Sequence, residues 1–323
     1  MPPSLPLPYP LAKLPMKQPI RIGTRASPLA LMQTRMVAEA LREALGWGPE
    51  LIEIVPMTTT GDVVQDRPLA EVGGKGLWTK ELDRALIEGR TDLSVHSMKD
   101  VETLRPAELV IAAMLPRADV RDRLLGAESI ETLPHNARVG TSSPRRAAQL
   151  LARRPDLEIV PIRGNVATRI RKLELGEADA TLLAAAGLDR LGHPEIGVAL
   201  DDLLPAPAQG AIGIEARADD KKTRALLAAI DHRPTHVCVL AERSLLEGLG
   251  GSCRSPVAAL AECDGDFLRL RAEILTNDGS QAERIDTRFP SADLNAPRDL
   301  ARQMLDRAPA AVRVLFEGWC PIS

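Results

Sequence analysis

Aromatic residues are nearly missing from this 323-residue chain: three Trp, three Phe and one Tyr make up 2%. Stacking platforms for nucleic-acid bases, which need several exposed rings, are therefore not expected. No apolar run approaches the ~18 residues that cross a bilayer, and mean hydropathy is −0.08. That excludes a transmembrane helix and leads us to expect a soluble, cytoplasmic chain with no membrane partner. The four cysteines, Cys238, Cys253, Cys263 and Cys320, include no C-x-x-C pair, so no metal site is expected. A chain this long needs no disulfide framework, and reduced thiols are the default. The glycine-rich VGGKG is no phosphate loop, because Leu69 stands where the first Gly should and Gly76 where the hydroxyl residue should. Charge of one sign is lacking too: 41 Lys+Arg against 44 Asp+Glu give −3, too balanced for a surface-wide polyanion binder.

What is present is an α/β pattern long enough for two or three domains at about 100–200 residues each. The first nineteen residues carry seven prolines. Pro6, Pro8, Pro10 and Pro15 interrupt any secretory apolar core, so this reads as a disordered or polyproline-like extension. A strand is expected from Ile20, then a helix opened by Ser27-Pro28 and running to about Leu45. Another strand spans Glu50 to Met57. The roughly twenty residues after it, with four glycines, suit a lid or binding loop. Helix resumes near Leu77 to Glu88, and a strand from Asp92 to His96 leads into Ser97-Met98-Lys99-Asp100. The phrase R-I-G-T…S-P at Arg21 recurs as R-V-G-T…S-P at Arg138, and G-R-T-D-L-S at Gly89 recurs as G-E-A-D-A-T at Gly176. Two such pairs in one order suggest two like lobes facing across a cleft, although strand-cap-Pro is a common phrase. From about Pro234 a helix (Val237–Leu249), a hairpin (Phe267–Leu275, Gln281–Phe289) and closing helices near 296–308 and 309–318 read as a small α+β unit.

The basic residues cluster. Between Arg138 and Lys172 nine basic residues face two acidic ones, a local +7 that leaves −10 for the rest. Eight of the nine are Arg, which favours forked recognition of carboxylate or phosphate. Arg153, Arg154 and Arg171 read as solvent-facing. Arg145 and Arg146 occupy a first helical turn, where cations oppose the macrodipole, a placement that points to an anion contact. Asp100, at a strand end, suits either stabilisation of a cation or a helix-capping role. His96 reads as a packed core histidine. Cys253, in GGSCRSP, has an Arg neighbour that favours the thiolate; Cys238 reads as core.

The segments RIGTRASPLAL, GGKGLWTKELDRAL, VHSMKDV, VGTSSPRR, RGNVATR, AAGLDRLG, PAQGAIGIE and ERSLLEGLGGSCRSPV occur in the order found in the porphobilinogen deaminase family, and the resemblance runs from about Arg21 to the C-terminus. It implies two type II periplasmic-binding-protein-like lobes plus a small α+β C-terminal domain: residues 20–115 and 211–229 as domain 1, 116–206 as domain 2 and 234–323 as domain 3. It implies an enzyme that joins four porphobilinogen units head to tail into hydroxymethylbilane with release of ammonia. The primer would be a dipyrromethane cofactor held by a thioether to Cys253. Asp100 resembles the family's essential carboxylate, which stabilises positive charge as ammonia leaves. Arg25, Ser27, Ser97, Lys99, Thr141, Ser143, Arg145, Arg146, Arg163, Arg169 and Arg190 match contacts to acetate and propionate groups. Lys75 would belong to the lid and Gln209 to the segment returning to domain 1. The resemblance also implies a monomer that hands its product to uroporphyrinogen-III synthase. Glu71, Trp78, Ala208 and Ser255 depart from the usual pattern, Ala208 standing where a Gly is common. A non-catalytic two-lobed anion-binding protein is the competing expectation; it gives no reason for LGGSC.

Overall fold

A computed structural model describes residues 18–59 and 79–316. From the N-terminus come β1 (Ile20–Arg25), α1 (Pro28–Leu45), β2 (Ile52–Met57), α2 (Lys80–Ile87), β3 (Leu93–Ser97) and β4 (Leu109–Met114). There follow β5 (Asp122–Leu125), β6 (Arg138–Gly140), α3 (Pro144–Arg153), β7 (Glu158–Val160), α4 (Val166–Glu174), β8 (Ala180–Ala184), α5 (Ala185–Arg190) and β9 (Val198–Leu200). The chain returns through β10 (Ile212–Arg217) and α6 (Lys221–Leu227). It ends with α7 (Arg233–Gly248), β11 (Val257–Asp264), β12 (Phe267–Leu275), β13 (Ala282–Pro290), α8 (Ala296–Arg307) and α9 (Ala310–Arg313). The fold class is the expected α/β, with two lobes and a smaller α+β unit.

The two five-stranded sheets have one topology. The first runs β2-β1-β3-β10-β4 and the second β7-β6-β8-β5-β9. In each, the opening strand pairs in parallel with both neighbours, and the next strand in order is antiparallel. The sequence repeat falls on equivalent places. Arg21 ends one latch: its backbone N–H donates to Asp92 Oδ2 at 2.8 Å, and its guanidinium reaches Asp92 Oδ1 at 2.9 Å and the Gly89 carbonyl at 2.8 Å. Arg138 repeats it on Asp179 and Gly176 at 2.7, 3.0 and 3.0 Å. The recurring R…G-x-x-D phrase is thus a strand-edge clamp used twice, and chance no longer competes with it.

Both opening helices start for the same local reason. Ser27 Oγ accepts from Ala30 N–H ahead of Pro28, and Ser143 Oγ accepts from Arg146 N–H ahead of Pro144. Each satisfies a donor that the helix leaves orphaned. Apolar residues at helical spacing on α1 (Val37, Leu41, Leu45) then bury against Ile20, Ile22, Leu93 and Ile214 of the first sheet. In the second sheet Val139, Leu150, Ala180 and Leu182 do the same. The third unit packs α7 and α8 on the antiparallel sheet β11-β12-β13.

Several expectations shift. β11 escapes the sequence reading because Val257 to Ala261 are all buried, which removes the alternation that marks a half-exposed strand. The last helix is a single α turn followed by a 3₁₀ turn at Val314–Phe316. Arg153 and Arg154 do not simply face water: Arg153 pairs with Asp202, and Arg154 pairs with Asp156 while its guanidinium caps carbonyls of residues 130–134. The proline-rich extension through residue 17, Glu71, Lys75, Trp78 and Cys320 lie outside the described residues.

Candidate active site

A pocket opens at the C-terminal end of β3, lined by Arg25, Ser27, Gln33, Thr79, His96, Ser97 and Asp100. The short 3₁₀ turn Met98–Asp100 directly follows β3, so the carboxylate of Asp100 stands where open α/β sheets hold ligands. The Gln33 amide, on α1, donates to Ser97 Oγ at 2.8 Å, which fixes the wall beside it. Val101, Glu102 and Thr103 are held from behind by the Arg243 guanidinium of α7, which donates to their three carbonyls. The carboxylate therefore sits on a braced turn.

His96 is buried, as expected, and has a carboxylate partner, Glu215 of β10, at 3.3 Å. Behind it Arg105 forks onto Glu215 at 2.8 Å through two nitrogens and also meets Asp83. Burial disfavours the Glu215 charge, yet His96 and Arg105 outweigh it and hold this carboxyl down at about 2. The pocket floor thus rests on a buried ion-pair cluster of Arg105 with Glu215 and Asp83.

Across the cleft the second lobe supplies cations, and their arrangement differs from the sequence expectation. Arg145 and Arg146, read as anion contacts on an exposed first turn, are 3% and 5% exposed. Their guanidiniums turn inward onto Asp122 of β5 at 2.8 and 2.7 Å. Each also donates to a backbone carbonyl, Leu204 for Arg145 and Leu182 for Arg146. Burial opposes the Asp122 charge, but the two guanidiniums prevail and hold the carboxyl far below its ordinary range. Gln209, on the crossing segment, completes the cluster by donating to Asp122 Oδ1 at 2.9 Å and to the Val120 carbonyl at 2.7 Å.

Lys99 reaches this cluster from the first lobe. Its ammonium donates to Gln209 Oε1 at 3.3 Å. Burial and the Arg146 charge push it down to about 8, against the pull of Asp100 and Asp122. Arg169 on α4 donates its Nε to the Gly164 carbonyl and has no carboxylate ion-paired with it among the described residues. Burial and Arg146 lower it to about 10, with Asp100 the opposing charge. Arg190 on α5 donates to the Gly210 carbonyl at 2.7 Å, and burial lowers it to about 10. Thr141 and Ser143 lie at the β6–α3 junction, joined by the Ser143 N–H to Thr141 Oγ1 bond at 3.1 Å.

Cys253 sits in the turn between α7 and β11, exposed at the surface. Its thiol is raised, not lowered: desolvation and the facing Asp100 carboxylate outweigh Arg254. The expected thiolate bias from the neighbouring Arg is therefore corrected, since burial, together with the Asp100 charge, overrides it. The Asp100 charge is felt both by the Cys253 thiol and by the Arg169 guanidinium. Lys75 alone of the expected site residues lies outside the described residues.

Sequence reasoning missed Asp122, Glu215, Gln33 and Glu242. Glu242 on α7 is fully buried and accepts from Arg117 at 2.6 and 3.0 Å, from Ala208 N–H at 2.6 Å and from Ala261 N–H at 2.7 Å. It joins both segments that cross between the lobes to the third unit. A Glu directly following the apolar stretch Val237 to Ala241 within this helix was the available signal.

Residues 20–225 match the family described as porphobilinogen deaminase, dipyromethane cofactor binding domain, and residues 236–306 match the porphobilinogen deaminase C-terminal domain. The chain belongs to the porphobilinogen deaminase family. A porphobilinogen deaminase of Sphingopyxis alaskensis is 59% identical over 92% of this chain and 96% of its own length. One from Paracoccus denitrificans is 52% identical over 91% of this chain and 96% of its own. Among solved structures, an ancestral cationic amino acid solute-binding protein covers 65% of this chain and 87% of its own at 17% identity, with a TM-score of 0.41. The family is one of transferases that carry a dipyrromethane cofactor. Among the described residues no helix is long and apolar enough to cross a membrane, and no cluster of His, Cys, Asp and Glu suits a metal ion.

Proposed function

We propose that this cleft condenses porphobilinogen, with Asp100 as the catalytic carboxylate and Cys253 as the cofactor anchor. The observation that carries the reading is the pocket that brings Asp100 together with Arg25, Ser27 and Ser97, with Lys99 beside it reaching Gln209 of the Asp122 cluster in the second lobe. The electrostatic influence of Asp100 on Cys253 and on Arg169 supports it. Ammonia leaving the aminomethyl carbon of the substrate spreads positive charge over its pyrrole ring. A fixed, ionised acceptor on a braced turn stabilises that charge and holds the pyrrole N–H, and it does so without reorganisation. Each ring added brings two carboxylates, which Arg25, Arg163, Arg169, Arg190, Lys99, Ser27, Ser97, Thr141 and Ser143 would receive. Arg145 and Arg146, spent on Asp122, act chiefly as a fixed positive wall. Lys75 of the lid and Gln209 complete the proposed set.

The residues fit a dipyrromethane. Buried Nε atoms of Arg145, Arg146 and Arg190 have no hydrogen-bond partner among the described residues, and Cys253 is an exposed free thiol. When attached through Cys253 the cofactor supplies the free pyrrole end on which the product is built. Around it we place three units, 20–115 with 211–229, 116–206 and 234–323. We also propose a cytoplasmic monomer that passes its product to uroporphyrinogen-III synthase; the need for a free Cys253 thiol supports a reducing compartment. Intact mass tests the whole reading. A mass increment of two substrate-derived pyrrole units, absent from Cys253→Ser, is expected; an unmodified chain that binds porphobilinogen without releasing ammonia would instead make it a binding protein.

A further inference from the structure

Two thiols outside the site lie in contact. Cys238, on α7 one turn before Glu242, is 6% exposed. Cys263, near the end of β11, is exposed. Their sulfurs are 3.5 Å apart, 25 residues separate them in sequence, and the Cys263 thiol lies 3.7 Å from the Pro234 carbonyl at the start of α7. A disulfide needs ~2.0 Å between sulfurs, so closure takes about 1.5 Å of approach. β11 can give it, because Glu262, Cys263 and Asp264 form the exposed end of that strand. The pair flanks the Glu242–Ala261 hydrogen bond.

We infer that Cys238 and Cys263 are a modification site, a dithiol that hydrogen peroxide converts to an intramolecular disulfide. The exposed partner takes the first step. The Cys263 sulfur attacks one peroxide oxygen, the O–O bond breaks, and the thiol proton leaves with the departing oxygen as water, giving a sulfenic acid. Cys238 sulfur then attacks that sulfur. The S–S bond forms as the S–O bond breaks, and the Cys238 proton leaves with the hydroxyl as a second water. Two electrons pass from the two thiols to one peroxide. The Cys238 thiol, 6% exposed, is shielded from peroxide and, 3.5 Å from the Cys263 sulfur, is placed for the second step; burial also pushes it up to about 12, so that step is the slower one. No residue of the proposed reaction takes part, so the inference stands or falls apart from that reading.

The test uses the full-length, cofactor-loaded protein treated with hydrogen peroxide, alkylated under denaturing conditions and digested with trypsin. The spans 225–243 and 255–269 are expected as one linked species about 2 Da lighter than the two reduced peptides, separated again by dithiothreitol. In Cys238→Ser, dimedone is expected to trap a sulfenic acid on Cys263. The inference is overturned if the unmutated protein gives a sulfenic or sulfinic Cys263 with Cys238 still alkylated. It is equally overturned if both thiols stay reduced while glutathione in the same tube is consumed.

Discussion

The two lobes share a scaffold and differ in charge. Both carry the Arg–Asp latch, the Ser-Pro helix start and the same strand order. Counting from the latch aspartates, Asp100 after β3 corresponds to Gly187 after β8, and Lys99 to Ala186. Counting from the helix-opening prolines, Leu29 and Ala30 of the first lobe correspond to Arg145 and Arg146 of the second. One lobe therefore ends its third strand in a carboxylate, while the other ends it in small residues and places guanidiniums on its first helix. A clamp at the strand edge preserves the backbone, and the residues just beyond the strand ends are free to carry different chemistry.

Removing the first lobe's acid should have the largest effect. Asp100→Ala is expected to lower ammonia release from porphobilinogen by about three orders of magnitude, the scale of losing a preorganised charge partner in a transition state. Its melting temperature should stay within a few degrees. Substantial turnover in that variant would dissolve the contrast between the lobes.

The second lobe's acid plays the opposite part. Asp122→Asn leaves two buried guanidiniums without their counter-charge, and denaturant unfolding should show a loss of about 3–5 kcal/mol. Because the folded carboxyl is depressed, its contribution is complete above the unfolded value of 3.8 and fades as pH falls below it. The variant should accordingly lose part of the acid-side slope of stability. A variant as stable as the parent would show that the Asp122 cluster does not hold the lobe.

Lys99 is the first lobe's cation, and it sharpens the comparison at high pH. Its folded value of about 8 lies below the ordinary 10.5, so between these limits the unfolded chain holds more protons and stability from this group rises with pH. Carboxylate binding moves the other way. KM for porphobilinogen is expected to rise about tenfold above pH 8, the scale of one charge-assisted hydrogen bond, and Lys99→Met should remove that dependence. The smallest effect belongs to the crossing segment. Ala208, a non-glycine residue, holds φ at +64°. Relief of that left-handed strain by Ala208→Gly, less the entropy a glycine adds to the unfolded chain, should stabilise by about 0.5–1 kcal/mol in thermal unfolding.

Much of the lobe architecture could be read before any coordinates. Caps act within three residues, so Ser27 and Ser143 announced their helices, and the repeated latch phrase placed equivalent strands. β11 could not be read, because burial on both faces erases its period. Arg145 and Arg146 were legible as unusual, yet their target was not. Asp122 lies more than twenty residues away, and nothing in the sequence says that β5 runs beside β8. The Cys253 thiol was misjudged for the same reason: Arg254 is adjacent in sequence, while burial and the Asp100 charge, which outweigh it, come from the tertiary structure.

The sequence by itself determined which residue types exist and where helices and most strands begin, because propensity, capping and periodicity are local. It also determined the family, since eight ordered motifs leave little freedom. Tertiary structure alone decided the charge pairings: that Asp122 absorbs two arginines, that Glu242 ties both crossing segments to the third unit, and that Cys238 touches Cys263. Electrostatic energy depends on distance and burial, and neither follows from order along the chain.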